Sequence, residues 1–501
     1  MGRLEALGAP TLGTSSEETI AALRQETLSG IKWVFLSSVS QRILGIVTTV
    51  FLARLLNPSD FGLFALAFVL IDGFGLFKSL GVDSALVRQK ERVEEATDTA
   101  FCLIPLIGFS LAAILFVVAP LASALLKNPQ LSPIVRTLSA IFVFSCLAQI
   151  PTILLQKRLL FWKKGVSELA SNLSYSVVAV TLAFLGFGVW SLVYAYLLKT
   201  VVLMVMVWLF SEFRPRFRFR KDLALDMLHY GKYIFGGSLL LFLKNECDNV
   251  VVGRLLGLSA LGFYALSFNI SSFPSEYIIG RMFSVFFPVF SKLQDNEEAL
   301  CRGFLKSLKL ISLIAVPFGL AVVALSPLFL RVVYGPKWLP AAEVLRLLAI
   351  GGIFKAVAGS GSPVFLAKGR SRLDFWINLI HVGLFFALIV PLTHLFGLSG
   401  AGFVVLISGG ASLFISLWRV RGMLPISWGD IVGSLKSSLI GSSIMLSIFG
   451  VVAMGRMFLW HLATPISTMG FIVMTGISGV AYLFSIFLLD RDVRIEVRRI
   501  L

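Results

Sequence analysis

The chain has 501 residues, of which 57% are hydrophobic and only 14% are charged, and its formal net charge is +17. Soluble domains carry roughly 25% charged residues. This chain has too few charged residues for most of its surface to be exposed to water, so a soluble protein is excluded. A nucleic-acid-binding protein is excluded as well, because the cations stand in short clusters between apolar runs with no binding module around them. In a membrane protein such clusters set the orientation and contact anionic lipid.

Apolar runs long enough to cross a bilayer recur along the whole chain. A spanning helix needs about 20 apolar residues, because the hydrocarbon layer is about 30 Å thick. We therefore predict an all-α polytopic membrane protein with about 14 transmembrane helices. In chain order the predicted spans are 31–53, 61–81, 100–126, 134–155, 167–187, 189–211, 231–254, 261–284, 304–330, 339–366, 374–395, 400–418, 435–455 and 465–489.

Lysine and arginine in the predicted loops alternate between a rich and a poor side. The rich side carries 26 of these residues and the poor side 7. Because the rich side of a membrane protein is cytoplasmic, both termini are predicted to lie in the cytoplasm. The loops on the outward side are all short, which disfavours a membrane-embedded polymerase or ligase that acts on sugars outside the cell.

A repeat at an offset of 200 residues indicates two related halves. Residues 54–68 read RLLNPSDFGLFALAF and residues 254–268 read RLLGLSALGFYALSF, with eight identical positions in fifteen. Chance explains some apolar matches, but not easily the shared Arg, Ser and Gly at one register. Six spans per half give both halves the same orientation, so they are parallel repeats that would enclose a central cavity and rock for alternating access.

The predicted domain organisation follows from the spans and the repeat. Two pseudo-symmetric six-helix lobes are followed by two C-terminal helices. In chain order we predict a cytoplasmic N-terminal tail (1–30), an N-lobe (31–211), a cytoplasmic linker between the lobes (212–230), a C-lobe (231–418), spans 13 and 14 (435–489) and a cytoplasmic C-terminal tail (490–501).

Ionisable residues inside the predicted spans are the candidate site. A charged side chain at the bilayer centre costs at least about 2.5–3.5 kcal/mol, so it usually faces a wet cavity. The cations, which we expect to hold phosphate or acidic sugars, are Arg42, Lys199, Lys244, Arg281 and Lys355. The anions, which could pair with the cations or carry a coupled proton or sodium ion, are Asp72, Glu246, Asp248 and Glu276.

Each candidate has an alternative role. Lys199 has apolar residues on both sides in mid-span, so reaching an interface by snorkelling is difficult for it. Lys244 and Asp248 are four residues apart on one helical face, and a structural salt bridge is the alternative to a pathway-lining role. For Glu276 and Arg281 the alternative is an interfacial or salt-bridging role.

Motifs for enzymatic chemistry are missing from the sequence. It contains no GxxxxGK[ST], no GxSxG and no HExxH. The four cysteines have no CxxC spacing, and the four histidines are scattered. We therefore predict that the chain is not an enzyme and needs neither a cofactor nor a metal ion.

The segments ARLLNPSDFGLFALAF (53–68) and GRLLGLSALGFYALSF (253–268) resemble the repeat starts of the oligosaccharide flippases of bacterial surface-polysaccharide synthesis. These flippases belong to the multidrug/oligosaccharidyl-lipid/polysaccharide exporter superfamily. Within it, the chain is most similar to the subgroup that exports lipopolysaccharide O-antigen, colanic-acid or teichuronic-acid units. The similarity covers nearly the whole chain in spacing and span count.

The resemblance implies a flippase that moves undecaprenyl-pyrophosphate-linked oligosaccharide across the bacterial inner membrane. It also implies the V-shaped fold of the multidrug and toxin extrusion (MATE) transporters, and a polysaccharide polymerase and other assembly proteins as partners. The alternative function is a proton- or sodium-coupled drug or cation antiporter of the same fold, in which Asp72, Glu246 and Asp248 would carry the ion.

Span 1 also resembles the lipid II flippases locally. SQRILG at 40–45 is similar to their Ser-Arg-Val-Leu-Gly stretch. This similarity places Arg42 on an arginine that is implicated in pyrophosphate binding. The second arginine of that stretch, six residues further on, is replaced by Thr48 here.

Overall fold

The computed structural model describes residues 16–78, 82, 86, 92–459 and 468–489, and this part of the chain is helical without any strand. Two compact units divide the chain, Met1–Arg254 and Leu255–Leu501. In the first unit, the helices are α1 (Ser16–Leu55), α2 (Pro58–Gly75), α3 (Val93–Leu125), α4 (Leu131–Lys157), α5 (Phe161–Phe184), α6 (Val189–Phe210) and α7 (Lys221–Leu256), which ends just inside the second unit.

The second unit continues the helical order with two short irregular helical segments. Its α-helices are α8 (Leu258–Ser271), α9 (Gly280–Leu293), α10 (Glu297–Phe329), α11 (Ala342–Ala358), α12 (Ser362–Ala367), α13 (Ser371–Arg421), α14 (Trp428–Leu459) and α15 (Thr468–Leu489). A π-helical turn, Pro274–Ile279, joins α8 to α9. A second π turn (Leu330–Tyr334) and a 3₁₀ segment (Pro336–Ala341) join α10 to α11.

Many of these helices can cross a membrane. Eight helical stretches among the described residues are at least 18 residues long and apolar enough to do so. Each of the fourteen predicted spans overlaps helix, although the count of fourteen remains a prediction. α13 covers two predicted spans, and the chain is kinked between them at Gly397. The φ of this residue is +58°, which only glycine adopts readily.

The surface of α3 shows why these helices need lipid around them. One face is buried, with Ile104, Leu111 and Leu115 inside the first unit. The opposite face exposes apolar side chains as well, including Val117, which is 74% exposed, and Leu121. A helix of a soluble protein would place polar residues there, so this helix has the all-round hydrophobicity of a membrane span.

Close helix pairs build each unit. In the first unit, α3 packs on α4 and α5 packs on α6, while α1 packs on α5 and α6 packs on α4. Gly108 of α3 allows the closest approach, because a Cβ there would lie 2.7 Å from the Sγ of Cys146 and 2.9 Å from the carbonyl oxygen of Phe142. Small residues at such contacts let membrane helices come together.

In the second unit the last two helices are attached to α10. The Ser438 hydroxyl of α14 donates a hydrogen bond of 2.6 Å to the Ser312 carbonyl oxygen, and the Tyr482 hydroxyl of α15 donates one of 2.6 Å to Leu313. An apolar cavity of about 230 Å³ lies between α10, α14 and α15, lined by Phe318 among others. Spans 13 and 14 are therefore packed parts of this unit.

The two copies of the repeat form the same local structure. α1 ends at Leu55 and α2 begins at Pro58, while α7 ends at Leu256 and α8 begins at Leu258. In the first copy the Asn57 backbone N–H donates a hydrogen bond of 2.9 Å to the Asp60 carboxylate. In the second copy Gly257 turns the chain with a φ of +87°. The shared sequence thus encodes a tight helix–helix turn in each half.

The sequence-based domain limits, with an N-lobe of 31–211 and a C-lobe of 231–418, remain a prediction. Within the first unit, α1 already begins at Ser16, inside the predicted tail. α7 begins at Lys221, inside the predicted linker, so only residues 211–220 between α6 and α7 are non-helical.

Candidate functional site

The Lys199 ammonium lies beside two tyrosine rings inside the first unit. Its Nζ is 5.2 Å from the ring centroid of Tyr196, one turn earlier on α6, and 5.8 Å from that of Tyr175 on α5. The two rings meet edge to face, with centroids 6.2 Å apart. An aromatic face attracts a cation through its quadrupole, so these rings stabilise a charge within a helix bundle.

The aromatic group extends from Tyr196 to α2. The Phe68 ring packs edge to face on Tyr196 with a centroid distance of 4.6 Å, and Phe64 lies 4.6 Å from Phe68. Glu168 of α5 is the carboxylate that acts electrostatically on Lys199. Lys199 thus lies where an aromatic surface and an acidic residue of neighbouring helices meet.

Glu168 also belongs to a polar contact between α1 and α5. Its carboxylate accepts a hydrogen bond of 3.0 Å from the Gln41 side-chain amide. The Asn172 amide, one turn further along α5, donates a bond of 3.3 Å to the Gln41 carbonyl oxygen. Lys164 Nζ is 4.0 Å from the other carboxylate oxygen of Glu168. Three side chains within predicted spans 1 and 5 therefore form one hydrogen-bonded group.

Arg42 is adjacent to this group on α1, and its side chain is half-buried. Thr48, which stands at the position of the second arginine in the lipid II flippase stretch, is buried. Its hydroxyl donates a hydrogen bond of 2.7 Å to the Ser176 hydroxyl of α5. In this chain that position is a helix–helix contact, which leaves Arg42 as the cation of the stretch.

Asp72 lies near the end of α2 with an exposed side chain. It acts electrostatically on Tyr196, the residue that also contacts Lys199. The neighbouring Gly73 lies under the Phe242 ring of α7, where a Cβ would be 3.0 Å from the ring. The end of α2 that carries Asp72 therefore approaches both α6 and α7.

The carboxylates of α7 are held by an asparagine of the same helix. Asp248 is 2% exposed and accepts a hydrogen bond of 2.9 Å from the Asn249 backbone N–H. Glu246 is half-buried and accepts a bond of 3.0 Å from the Asn249 side-chain amide. The Lys244 side chain lies outside the described residues, so its salt bridge to Asp248 remains a prediction.

In the second unit, Lys355 of α11 is the described candidate cation. Its Nζ is 5.9 Å from the ring centroid of Phe268, which stacks on Tyr264 at 6.0 Å. Glu276 lies in the π turn after α8 and is exposed. The Arg281 side chain lies outside the described residues. Phe268 is the repeat partner of Phe68, so each unit places a lysine beside the aromatic group that contains this phenylalanine.

The structure brings several of the predicted site residues together. Lys199 and Asp72 share Tyr196 as a neighbour, and Glu246 and Asp248 both accept hydrogen bonds from Asn249 of α7. Glu168 was not predicted from the sequence, because it falls in the first turn of its predicted span. The available signal was the spacing of polar residues in span 5, where positions 168, 172 and 176 lie on one helical face.

The arrangement in the first unit can bind an anion and can hold a proton or cation. Lys199 and Arg42 supply positive charge on α6 and α1, and Arg binds phosphate through two parallel N–H donors. Glu168 and Asp72 supply negative charge. Among the described residues, no group of three or more His, Cys, Asp and Glu side chains could hold a metal ion.

The chain is similar to known proteins of one family. The family described as "Polysaccharide biosynthesis protein" matches residues 51–343. The chain is 28% identical over 80% of its length to the lipopolysaccharide biosynthesis protein WzxC of Escherichia coli, of which 83% is covered. It is 26% identical to the succinoglycan biosynthesis transport protein ExoT of Rhizobium meliloti (92% of this chain, 93% of that one). It is also 26% identical to the teichuronic acid biosynthesis protein TuaB of Bacillus subtilis (84% and 82%).

Two solved structures share the fold. The lipid II flippase MurJ in its inward closed conformation superposes with a TM-score of 0.73, covering 92% of this chain and 99% of that one at 16% identity. An inward-facing multidrug resistance MATE family transporter of the MOP superfamily gives a TM-score of 0.61, covering 79% and 96% at 17% identity. The predicted MATE-like all-α membrane fold is confirmed.

Proposed function

Since the chain belongs to the polysaccharide biosynthesis protein family, we propose that it is a flippase for lipid-linked oligosaccharide. It would move undecaprenyl-pyrophosphate-linked units across the bacterial cytoplasmic membrane for the synthesis of a surface polysaccharide. Family membership over residues 51–343 supports this, as do relatives that are named for lipopolysaccharide, succinoglycan and teichuronic acid synthesis. The predicted cytoplasmic termini and a polysaccharide polymerase as partner belong to the same proposal.

The observation that carries the mechanism is the position of Lys199 between two tyrosine rings in mid-span. A lysine kept charged inside a membrane bundle usually serves a substrate or ion pathway. In the proposal, Lys199 and Arg42 attract the pyrophosphate or acidic sugars, and the aromatic faces of Tyr175 and Tyr196 offer surfaces for sugar rings. The lipid tail stays in the bilayer, and rocking of the two repeat-related halves gives alternating access.

The predicted cavity cations of the second half, Lys244, Arg281 and Lys355, stay part of this proposal. The described one, Lys355, lies beside the ring of Phe268, the repeat partner of Phe68. The anions Asp72, Glu246, Asp248 and Glu276 would pair with substrate-free cations or carry the coupled ion. Glu168 joins this group as a carboxylate that the structure adds.

The antiporter alternative shares the fold, so the fold alone does not separate the two functions. What distinguishes them is family membership, which favours polysaccharide over drug transport. An efflux-deficient bacterial strain that expresses the protein should show no gain of drug resistance. Resistance to several cationic drugs would instead support the antiporter and contradict the flippase.

The direct test replaces Lys199 by Gln, which removes the charge and keeps a polar side chain of similar length. Lys127→Gln, at an exposed turn residue, is the matched control for loss of one positive charge. In a strain whose own flippase gene is deleted, K199Q should abolish surface polysaccharide at normal protein level, and single lipid-linked units should accumulate on the cytoplasmic face. Normal polysaccharide with K199Q would refute the role of this cation.

A further inference from the structure

The segment between α6 and α7 has an unusual composition. Residues 211–220, which we call the basic strap, read SEFRPRFRFR and are non-helical. Four arginines alternate with proline and phenylalanine, and all four are exposed. The function proposed above uses none of these residues.

The backbone of the basic strap is fixed to the start of α3. The Arg216 backbone N–H donates a hydrogen bond of 3.4 Å to the buried carboxylate of Asp98. The Arg220 backbone N–H donates one of 3.2 Å to the buried hydroxyl of Thr99. The Phe213 ring packs edge to face on Phe101, with centroids 5.5 Å apart. The strap is therefore held at a defined level of the bundle.

One arginine of the strap is already paired. Arg220 Nε lies 3.2 Å from the Asp222 carboxylate, which Arg92 approaches to 3.2 Å. Hydrogen bonds from Arg220 and then Arg92 lower the pKa of Asp222 to about 2, so this pairing persists at physiological pH. Arg92 also binds Glu95 at 2.6 Å. These contacts satisfy the arginine at the end of the strap.

The other three arginines have no such partner. In the part of the chain that the structure describes, Arg214, Arg216 and Arg218 form no ion pair with a carboxylate. All three side chains are exposed. Asp98 acts electrostatically on Arg216 and Arg218, but its single negative charge leaves the cluster net positive. An exposed cluster of positive charge attracts an anionic surface.

The phenylalanines of the strap indicate which surface this is. Phe217 is 85% exposed and Phe219 is 56% exposed. The Phe217 ring is 6.2 Å from Phe101, the second residue of predicted span 100–126. Phe217 therefore lies at the level where the hydrocarbon layer begins, and an aromatic ring is favoured there.

We propose that the basic strap binds anionic phospholipid at the edge of the protein. Arg214, Arg216 and Arg218 would contact the headgroup phosphates, while Phe217 and Phe219 enter the outer part of the acyl layer. Polybasic segments next to a membrane gain affinity with each cation, and apolar side chains add buried area. The predicted orientation makes this the cytoplasmic leaflet. The substrate pyrophosphate is the other source of phosphate, but the open strap offers no enclosure for a single headgroup.

Lipid retention tests the proposal on the full-length protein. The wild type is reconstituted into nanodiscs of equal phosphatidylglycerol and phosphatidylcholine, and native mass spectrometry counts the lipids that stay bound. R214Q/R216Q/R218Q should lower the preference for phosphatidylglycerol by about tenfold. K127Q/R254Q/R331Q, which removes the same charge from exposed sites in the loops that are poor in lysine and arginine, should leave it unchanged. An equal loss in both variants would overturn the proposal in favour of a general charge effect.

Two further experiments test the role of the phenylalanine rings and distinguish phospholipid from substrate as the source of phosphate. At low salt, F217S/F219S should still prefer phosphatidylglycerol, because the arginines remain. As salt is added, it should lose this preference at a lower ionic strength than the wild type, because salt screens the charge attraction that is all it has left. Farnesyl pyrophosphate serves as a soluble pyrophosphate probe. If R214Q/R216Q/R218Q lost this probe and retained phosphatidylglycerol, the strap would serve the substrate, and the proposal would be wrong.

The result is independent of the transport function. Thermal unfolding of each variant shows that it is folded before lipids are counted. Loss of phosphatidylglycerol preference with normal surface polysaccharide would support the strap as a lipid site alone. Unchanged preference in R214Q/R216Q/R218Q would refute it, whatever K199Q does to transport.

Discussion

Lys199 lies beside aromatic rings inside a predicted span. Within the described residues it forms no ion pair, and its ammonium instead faces the rings of Tyr196 and Tyr175. Cation–π contacts contribute about 0.5–2 kcal/mol, more where water is excluded. A direct carboxylate partner would bind the ammonium more tightly and occupy it. Aromatic neighbours leave the charge available to an incoming phosphate.

Glu168 should matter more for structure than the sequence suggests. Glu168→Ala leaves the amide donor of Gln41 without its acceptor, which costs about 1–3 kcal/mol when the group is shielded from water. We expect a lower unfolding temperature for E168A, measured by circular dichroism in detergent. Glu168→Gln retains an oxygen acceptor and should be closer to the wild type.

The same pair of variants separates a structural role from a functional one. If E168Q is stable but surface polysaccharide is lost, then the negative charge next to Lys199 serves transport. Normal stability of E168A would show that the contact between α1 and α5 does not depend on this hydrogen bond.

The charged residues of the site could be predicted from the sequence, but the residues that surround them could not. Lys199 was predicted because an ionised group in mid-span is costly wherever the helix packs. Glu168 was missed because a carboxylate in the first turn of a span has an ordinary explanation at the interface. Its partner Gln41 lies 127 residues earlier in the chain. No pattern within one helix shows which face of α5 will meet α1.

At the scale of helices, hydrophobicity predicted where helices occur but not where they begin and end. The predicted span 31–53 lies within α1, which begins at Ser16. Polar residues continue a helix without any apolar signal, so a hydropathy window stops at the membrane boundary. The structure breaks α13 at Gly397, which lies between predicted spans 11 and 12.

The contact between α3 and α4 depends on Gly108. A Cβ at this position would meet both the Cys146 side chain and the Phe142 carbonyl oxygen, and the backbone atom cannot move aside. We expect Gly108→Ala to destabilise the protein by about 1–3 kcal/mol through overpacking. The measurement is thermal unfolding in detergent, with surface polysaccharide as a second readout.

Gly383 of α13 provides the control, since nothing lies within 4 Å of a Cβ built there. Gly383→Ala should be neutral or stabilising by up to about 1 kcal/mol, because alanine is the better helix former. Equal behaviour of G108A and G383A would contradict the close packing of α3 on α4.

For the whole molecule, charge distribution predicts the orientation. The loops rich in lysine and arginine alternate with poor loops along the entire chain, and a missed span would reverse the pattern after it. The fold confirms the class of membrane protein, whereas the side on which each loop lies remains a prediction.

Reporter fusions test this orientation. Alkaline phosphatase, which is active only outside the cytoplasm, should be active when fused after Asn128 and inactive when fused after Arg370. Green fluorescent protein, which folds in the cytoplasm, should fluoresce at Leu501. Active phosphatase at Arg370 would show that the predicted topology is inverted or that the span count is wrong.

The length of α1 has a mechanical consequence. A helix of 40 residues is about 60 Å long, twice the thickness of the hydrocarbon layer, which is about 30 Å. If the predicted span 31–53 crosses the bilayer, about four turns of α1 lie outside the hydrocarbon layer, since the helix begins at Ser16. A force applied to these turns would reach Arg42 through one continuous helix.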